Sequence, residues 1–196
     1  MEHLIKCLEV GSLRTNCWVI SQRDPGGLQK FCAVIDPGSD ARLIIDYLKK
    51  KNLMPDYILL THGHFDHVTA LPSLAKAFPD AVIAIHREDA DYLKSGSPKL
   101  LEEGDYAGPL KVIHFPGHTP GSAAFYDEEN EVLFSGDTLF YGACGRYDLA
   151  GGSRETLRKS LGKIFAMNGN LKVLPGHGPE TTIAAEAARG VSYFID

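Results

Sequence analysis

The stretch Tyr57-Ile58-Leu59-Leu60-Thr61-His62-Gly63-His64-Phe65-Asp66-His67 determines how the rest of the chain is interpreted. An apolar run typical of a strand leads directly into four side chains that can bind metal, and an amphipathic pattern from Val68 to Phe78 follows. Residues two apart in an extended chain point to the same side, so His62 and His64 can converge on one ion. The two remaining ligands follow where the chain has begun to turn. The stretch therefore predicts metal ligands between a strand and a helix, with a second ion beside the first.

Three further candidate ligands occupy equivalent places in the chain. His118, Asp137 and His177 each follow a short strand-like run and stand beside a glycine, which lets the backbone approach an ion closely. Seven donors exceed what one four- or five-coordinate ion needs, but they suit two ions that share a carboxylate. We assign three donors to a first site: His62, His64 and His118. The second site takes Asp66, His67 and His177, and Asp137 bridges the two ions. Such nitrogen and oxygen ligands suit two divalent ions, for which we expect zinc, with iron or manganese as alternatives.

Composition restricts the class of protein. A chain of 196 residues with 44% hydrophobic content can bury its core as a single domain spanning residues 1–196. Its four cysteines are scattered without Cys-x-x-Cys spacing, which predicts reduced thiols. The net charge of −5 and the dispersed Lys and Arg residues do not favour nucleic acid as a partner. No signal-peptide pattern and no apolar run of about 18 residues is present, so we expect a cytoplasmic protein, monomeric or a small homo-oligomer, without membrane contact.

The pattern of strands and helices places acidic residues at the ends of two hairpins. A hairpin ends at Asp36 and precedes a helix that Ser39 or Asp40 can cap, and a second hairpin ends at Asp137 before a helix capped by Ser153. This repetition suggests two similar α/β halves that meet face to face. Ligand sites in open α/β sheets lie at the carboxyl ends of strands, so we expect the ligands at a shared edge.

Four motifs carry a resemblance to a known family: Thr61–His67, Pro116–Gly121, Ser135–Phe140 and Pro175–Gly178. On these motifs the chain is identified as a member of the metallo-β-lactamase superfamily, and it resembles the glyoxalase II-like (hydroxyacylglutathione hydrolase-like) branch. The resemblance implies an α/β fold, a four-layer αββα sandwich of two mixed sheets with helices on the outer faces. It also implies metals at the sheet edges, a bridging hydroxide as nucleophile, and an Asp36 that braces the ligand loops. For Asp36 a plain turn role is the alternative.

The chemistry of two bridged cations also follows without the family. Such a pair lowers the pKa of a shared water from about 15.7 towards 7, and the hydroxide can attack a carbonyl carbon. A thioester suits this attack because a thiolate, with a parent pKa of about 8.5, leaves without much protonation. We therefore expect a small acyl-thiol substrate, with S-D-lactoylglutathione as one candidate. Asp66 and Asp137 are the catalytic candidates through their place as ligands, and Asp66 could also accept a proton.

Arg146 and Tyr147 are the candidate substrate contacts. The planar guanidinium of Arg146 suits a substrate carboxylate, with a surface arginine as the alternative, and Tyr147 could line the cleft or fill the core. Glutathione-binding members of the branch place a tyrosine shortly after the basic residue of this loop, whereas Asp148 stands here, and 19 residues follow His177. The thiol part of the substrate therefore stays open, and we expect two loops, the polar segment 95–105 and the glycine-rich segment 142–152, to determine it.

Three alternatives to the thioester hydrolase remain at this point. They are a mononuclear-iron persulfide dioxygenase, a lactone or β-lactam hydrolase of the same superfamily, and a metal-binding module without activity. The dioxygenases hold one iron with two histidines and an aspartate. The motif Pro175-Gly176-His177-Gly178-Pro179 resembles the hydrolase form, which completes a second site.

Overall fold

The computed structural model, which describes residues 2–93 and 97–195, contains two six-stranded mixed sheets. The first sheet has its strands in sequence order: β1 (Glu2–Val10), β2 (Thr15–Arg23), β3 (Gln29–Ile35), β4 (Tyr57–Leu60), β5 (Val82–His86) and β6 (Lys99–Leu101). The β1–β3 part is antiparallel, and the strands from β3 to β6 are parallel. The parallel connections carry α1 (Ala41–Lys50), α2 (Phe65–Val68), α3 (Leu71–Ala77) and a 3₁₀ helix (Arg87–Tyr92). Three consecutive connections therefore leave the same edge of the sheet.

The second sheet is built mainly from antiparallel strands. Its strands are β7 (Tyr106–Ala107), β8 (Leu110–His114), β9 (Ala123–Asp127), β10 (Val132–Gly136), β13 (Lys172–Pro175) and β14 (Thr181–Thr182), in the order β14-β13-β10-β9-β8-β7. Strands β10 and β13 are parallel and are joined through a two-stranded ribbon, β11 (Leu139–Phe140) with β12 (Ala143–Cys144), and α4 (Arg154–Phe165). Two short helices follow, α5 (Ile183–Ala187) and α6 (Val191–Ile195). Because β8 and β10 are both antiparallel to β9, the strands β8, β10 and β13 end at one edge.

Alternation along the strands separates three apolar layers. In β4, Ile58 and Leu60 face α1 and α3, whereas Leu59 faces the other sheet. In β10, Phe134 joins Leu59 in the layer between the sheets, whereas Leu133 packs against α4. A strand buried on both faces is continuously apolar, and each fully buried Leu or Phe contributes roughly 1.5–3 kcal/mol. Three layers of core between four layers of backbone confirm the predicted αββα sandwich.

The helix after the ligand stretch differs from the prediction of one amphipathic helix over residues 68–78. The chain forms α2 and α3 instead, with Thr69 and Ala70 between them. Pro72 stands in the first turn of α3, where its missing N–H is tolerated, and the Ala70 N–H donates to the Pro37 carbonyl. The helical turn thus begins at Phe65, and Asp66 and His67 already belong to it.

Two local predictions about capping and loops need correction. Asp40 occupies the position before α1 with a left-handed φ of 48°, but its carboxylate accepts from the Gly11 N–H at 2.7 Å and caps no helix amide. The polar segment 95–105 was predicted to be a loop, yet Lys99–Leu101 forms β6 at the edge of the first sheet. Residues 94–96 lie outside the described part. By contrast, the Ser153 hydroxyl accepts from the Thr156 N–H at 3.3 Å, as predicted for the start of α4.

In the part of the chain that the structure describes, no helix combines the length and the apolar character needed to cross a membrane.

Candidate metal centre

The first three candidate ligands converge where β4 and β8 end. The ligand atoms of His62, His64 and His118 lie within 4.8 Å of one another. His64 Nδ1 lies 2.9 Å from His118 Nε2. A tetrahedral zinc ion with ligands at about 2.0–2.1 Å separates neighbouring nitrogens by about 3.3 Å, which is close to this spacing. We refer to these three histidines as the first cluster.

The second cluster is formed by Asp66, His67 and His177. The His177 Nε2 atom lies 3.2 Å from Asp66 Oδ2 and 3.3 Å from His67 Nε2, and His67 Nε2 lies 3.5 Å from Asp66 Oδ2. The helical turn at Phe65 places Asp66 and His67 in one group with His177, although the His67 ring also lies close to the His62 ring, with centroids 4.1 Å apart. Ligands from β4 and from β13 therefore meet across the edge that the two sheets share.

Asp137 lies between the two clusters. Its Oδ1 is 3.3 Å from His67 Nε2, and its Oδ2 is 3.6 Å from both His118 Nε2 and His177 Nε2. Gly176 allows this position, because a Cβ there would collide with Asp137 Oδ1 and with the His67 ring. A carboxylate with two oxygens can thus contact atoms of both clusters at once.

Oxygen acceptors hold the outer nitrogen of four histidines. The Nδ1–H groups donate as follows: His62 to Thr61 Oγ1 at 3.1 Å, His67 to Asp36 Oδ2 at 3.0 Å, His118 to the Arg146 carbonyl at 2.7 Å, and His177 to the Leu13 carbonyl at 3.1 Å. We assign these tautomers because carbonyl and carboxylate oxygens only accept, and the Thr61 hydroxyl already donates its proton to Asp36. Each of these rings therefore turns its Nε2 towards the centre, where the nitrogen can bind a metal once it carries no proton.

Asp36 joins β3 to the ligand stretch. Its carboxylate accepts from the Thr61 N–H at 2.8 Å and the Thr61 hydroxyl at 2.7 Å, in addition to His67. The residue is buried and has a left-handed φ of 52°. These contacts agree with the expected bracing role and go beyond what a plain turn residue makes.

Burial and charge shift histidine pKa values in opposite directions in the two clusters: two are lowered in the first cluster and two are raised in the second. Burial lowers the pKa of His62 well below its usual range and lowers that of His64, and neighbouring histidines add to both effects. Burial also disfavours the charged form of His67, but Asp137 and Asp36 outweigh it and raise its pKa well above the usual range. A hydrogen bond to Asp66 raises the pKa of His177. Burial opposes ionisation of Asp66, but His177 and His67 lower the pKa of this carboxyl to about 2.

The donor set fits a pair of divalent cations. Two buried atoms at the centre, His62 Nε2 and Asp137 Oδ1, have no hydrogen-bond partner among the described residues, although Asp137 Oδ1 lies near His67. A buried polar atom without a partner costs about 1–3 kcal/mol, and a cation would satisfy both atoms. Imidazole nitrogen and carboxylate oxygen suit zinc, iron and manganese.

The loop that carries Arg146 and Tyr147 contacts the centre through its backbone. The Arg146 guanidinium forms a bidentate pair with Asp148, with two contacts of 2.9 Å, and is exposed. Tyr147 packs against the apolar layer beside α4. In this loop an added Cβ at Gly145 would collide with the Asp137 carbonyl and the His118 ring. The structure thus brings the seven predicted ligands together and leaves the Arg146 side chain engaged elsewhere.

A third histidine group lies outside the two clusters. His86 and His114 stack with ring centroids 3.9 Å apart, and Glu88 is the third member of the group. The His114 Nε2–H donates to the Pro120 carbonyl at 2.8 Å, and His86 Nδ1 accepts from the Glu88 N–H at 3.3 Å. Backbone contacts therefore occupy one nitrogen of each ring, and we do not count these histidines among the ligands of the centre.

Sequence reasoning missed two residues that contact the centre, Asp89 and Tyr92. The Tyr92 ring lies against Gly63 and meets the His64 ring edge-on at 5.8 Å, and its hydroxyl donates to the Ala150 carbonyl at 3.1 Å. Asp89 accepts from both ligand loops of the first cluster. Both residues follow β5, so the rule that ligand sites lie at the carboxyl ends of strands, applied to this strand as well, was the available signal.

Comparisons with known proteins agree with this geometry. Residues 10–177 match the family model described as the metallo-beta-lactamase superfamily. The chain is 35% identical to the probable metallo-hydrolase YqgX of Bacillus subtilis over 91% of this chain and 92% of YqgX. It is 32% identical to the hydroxyacylglutathione hydrolase GloC of Haemophilus influenzae over 93% of this chain and 94% of GloC.

A solved structure with a similar fold contains metal ions. The crystal structure of TTHA1623 in a di-iron-bound form shares 35% identity and a TM-score of 0.84, covering 93% of this chain and 96% of that one. Divalent metal ions thus occur in this fold, and the His and Asp clusters described above are present here. The chain belongs to the metallo-beta-lactamase superfamily, a superfamily of metallo-hydrolases, and its likeness to hydroxyacylglutathione hydrolases supports the glyoxalase II-like branch.

Proposed function

We propose that the protein is a dinuclear metal-dependent hydrolase that cleaves a thioester. The first cluster would hold one divalent ion, the second cluster would hold the other, and Asp137 would bind both. All seven of these ligands come from one chain, so the proposed centre needs no partner subunit. We expect zinc, with iron or manganese as alternatives.

The position of Asp137 is the observation that carries the proposal. One oxygen of its carboxylate lies 3.3 Å from a nitrogen of the second cluster, and the other lies 3.6 Å from a nitrogen of each cluster. A mononuclear centre would need only one of these groups. The second cluster also keeps its own carboxylate, Asp66, so both clusters retain three donors besides the bridge.

The ions would supply a water of lowered pKa and a Lewis acid for the carbonyl oxygen. The protein's own residues determine where this chemistry can occur. Asp36 and the Leu13 carbonyl orient the rings of the second cluster, and the Arg146 carbonyl orients His118. Because the pKa of Asp66 is about 2, this carboxylate is a weak base at neutral pH. The low pKa favours a role as ligand over a role as proton acceptor.

The substrate class rests on the chemistry and on the branch. A thioester carries a good leaving group and a carbonyl that one ion can polarise, and the hydroxyacylglutathione hydrolase GloC is a relative. The Arg146 guanidinium is paired with Asp148, so it offers no free contact to a carboxylate of the thiol. Phe65, between two of the ligands, leaves 70% of its surface exposed as an apolar contact beside the centre. We therefore expect hydrolysis of acyl-thiols without a strong preference for glutathione.

The test combines metal analysis with a substrate panel. The purified protein should contain two metal ions per chain and should hydrolyse S-D-lactoylglutathione, coenzyme A thioesters or simple acyl thioesters. His177→Ala should lose one ion per chain, and its hydrolysis should fall by more than about a hundredfold, beyond what loss of an outer contact costs. His3→Ala is the matched control, because His3 contacts Glu129 and Asn130, which are not among the proposed ligands.

Several results would contradict the proposal. A His177→Ala protein that keeps both ions and full hydrolysis would remove the second cluster as a site. One iron per chain with uptake of oxygen would favour the persulfide dioxygenase. Hydrolysis of lactones or β-lactams without thioester hydrolysis would transfer the activity to that class, and a loaded protein without any of these activities would indicate a binding module.

A further inference from the structure

A carboxylate that none of the sequence motifs contains lies buried beside the first cluster. Asp89 belongs to the 3₁₀ helix after β5, and its side chain is 0% exposed. A carboxylate in such surroundings is costly unless hydrogen bonds compensate its charge. The structure supplies three donors: the Gly63 N–H at 2.9 Å, the Thr119 hydroxyl at 2.7 Å and the Gly121 N–H at 2.6 Å. The chain therefore maintains this buried acid through well-formed contacts with neutral groups.

Each donor lies on a loop that carries a ligand of the first cluster. Gly63 stands between His62 and His64, and Thr119 and Gly121 stand on the loop that follows His118. The two loops are more than fifty residues apart in sequence, and Asp89 is hydrogen-bonded to both. Oδ2 accepts from Gly63 and Thr119, and Oδ1 accepts from Gly121. One side chain therefore connects the two loops that present these three histidines.

The packing leaves little freedom in this arrangement. A Cβ at Gly121 would collide with the backbone nitrogen and Oδ1 of Asp89, and one at Gly63 would collide with the Tyr92 ring of the same 3₁₀ helix. Ser122 adds a further contact, because its hydroxyl lies 2.7 Å from the Thr119 hydroxyl and accepts from the Thr119 N–H at 2.9 Å. Both ligand loops thus rest directly on the 3₁₀ helix, and a small change in Asp89 must move them.

We propose that Asp89 is a positioning residue of the first metal site, which sets the separation of His62 and His64 from His118. It touches no proposed ligand ring and acts through the backbone of Gly63 and Gly121 and through the Thr119 hydroxyl. In this it differs from Asp36, whose carboxylate accepts directly from the ring Nδ1–H of His67. The inference rests on the proposed function, because a site that holds no ion has no coordination to maintain.

The experiment measures the effect of one substitution, Asp89→Asn, on metal binding at each cluster separately. Apo-protein is titrated with Co²⁺ alone, and the visible absorption bands of Co²⁺ report both the affinity and the coordination geometry. His177→Ala leaves the first cluster intact, and His118→Ala leaves the second. Asp89→Asn keeps the size of the side chain and replaces one acceptor oxygen with a donor. We expect Asp89→Asn to weaken Co²⁺ binding about 10–100-fold and to change the bands in the His177→Ala protein, with a much smaller effect in the His118→Ala protein.

Three further variants separate positioning from general stability. Asp127→Asn changes another buried carboxylate, which accepts from the N–H and side-chain amide of Asn130 and contacts no ligand loop, and it should leave Co²⁺ binding unchanged. Thr119→Val removes one of the three donors and should weaken the first cluster in the same direction as Asp89→Asn but less. Thr119→Ser keeps the hydroxyl and should restore most of the loss. These variants decide the matter even if Asp89→Asn folds poorly.

Equal weakening of both clusters by Asp89→Asn, or none at all, would overturn the inference, and so would a Thr119→Val protein that binds Co²⁺ like the wild type. Failure of the proposed function has a different signature. In that case the wild-type protein would take up fewer than two Co²⁺ ions per chain or would hydrolyse no thioester. If the wild type binds two ions and hydrolyses thioesters while the variants show no selective loss of Co²⁺ binding at the first cluster, only the role of Asp89 is wrong.

Discussion

The two ligand clusters lie side by side but differ in charge. The first cluster has three histidines and no carboxylate of its own, and the outer nitrogens of His62 and His118 donate to neutral oxygens. The second cluster contains Asp66, and the outer nitrogen of His67 donates to the carboxylate of Asp36. In the first cluster the pKa values of His62 and His64 are lowered, and in the second those of His67 and His177 are raised.

This difference shows how one shared edge can provide two unlike sites. Burial favours the neutral forms of His62 and His64, whose nitrogens are then free to bind a cation. Carboxylates give the second cluster a stronger attraction for any positive charge, whether proton or metal. A cation must therefore displace protons from His67 and His177 in the second cluster, whereas at His62 and His64 it meets unprotonated nitrogens.

Removal of Asp137 should break both sites and cause the largest effect. Asp137→Ala deletes the carboxylate that lies between the clusters, so we expect loss of both ions and a fall in kcat/KM of more than about a hundredfold. Metal analysis and thioester hydrolysis measure this. A variant that loses only one ion would show that Asp137 belongs to one cluster alone.

Asp36→Asn should lower metal affinity more at the second cluster than at the first, because Asp36 contacts a ligand ring only in the second cluster. The change weakens the acceptor for His67 and for Thr61, so Co²⁺ affinity should fall roughly 10–100-fold at the second cluster, measured in a His118→Ala protein. The first cluster, measured in a His177→Ala protein, should lose less, because Asp36 reaches His62 only through Thr61. The opposite order of losses would contradict the assignment of Asp36 to the second cluster.

Metal uptake should depend on pH mainly at the second cluster. A raised pKa means that His67 and His177 still hold protons at a pH where an ordinary histidine is neutral. Affinity for Zn²⁺ at this cluster should therefore fall as the pH drops from about 7.5 to 5.5, by roughly tenfold for each proton displaced per pH unit. Chelator competition in the two single-cluster proteins measures both slopes. A steeper slope at the first cluster would contradict the electrostatic contrast.

Arg146→Ala should have the smallest effect. The Arg146 side chain pairs with Asp148 at the surface, and of Arg146 only the backbone carbonyl contacts His118. Because the substitution leaves that carbonyl in place, kcat/KM should change by less than about fivefold. Kinetics with a glutathione thioester and with an uncharged thioester test this. A KM increase of more than tenfold confined to the glutathione thioester would restore Arg146 as a substrate contact. Asp148→Ala, which frees the guanidinium, is the matched variant.

The order of strands, helices and ligand motifs was largely predictable. Apolar runs such as that before Thr61 predict buried strands, and the hairpins before Asp36 and Asp137 are local features. The break between α2 and α3 was missed because amphipathic periodicity continues across it, while Pro72 and the contact of Ala70 with Pro37 begin a new helix. The strand Lys99–Leu101 was missed because three residues within a polar segment are too short to show a strand pattern, and they gain strand geometry only by pairing with β5.

The sequence by itself determined the family, the fold class and the seven candidate ligands, because metal ligands are recognisable by residue type and local spacing. Only the tertiary structure decided which groups position these ligands through hydrogen bonds. Asp89 meets Gly63 and Gly121 because three strand ends assemble at one edge, and no local spacing encodes that contact. Arg146 pairs with a carboxylate two residues away instead of facing the centre, since a nearby charge competes with any ligand for an exposed guanidinium. Residue type thus indicates which atoms can bind a cation, whereas burial and long-range hydrogen bonds determine their geometry and protonation.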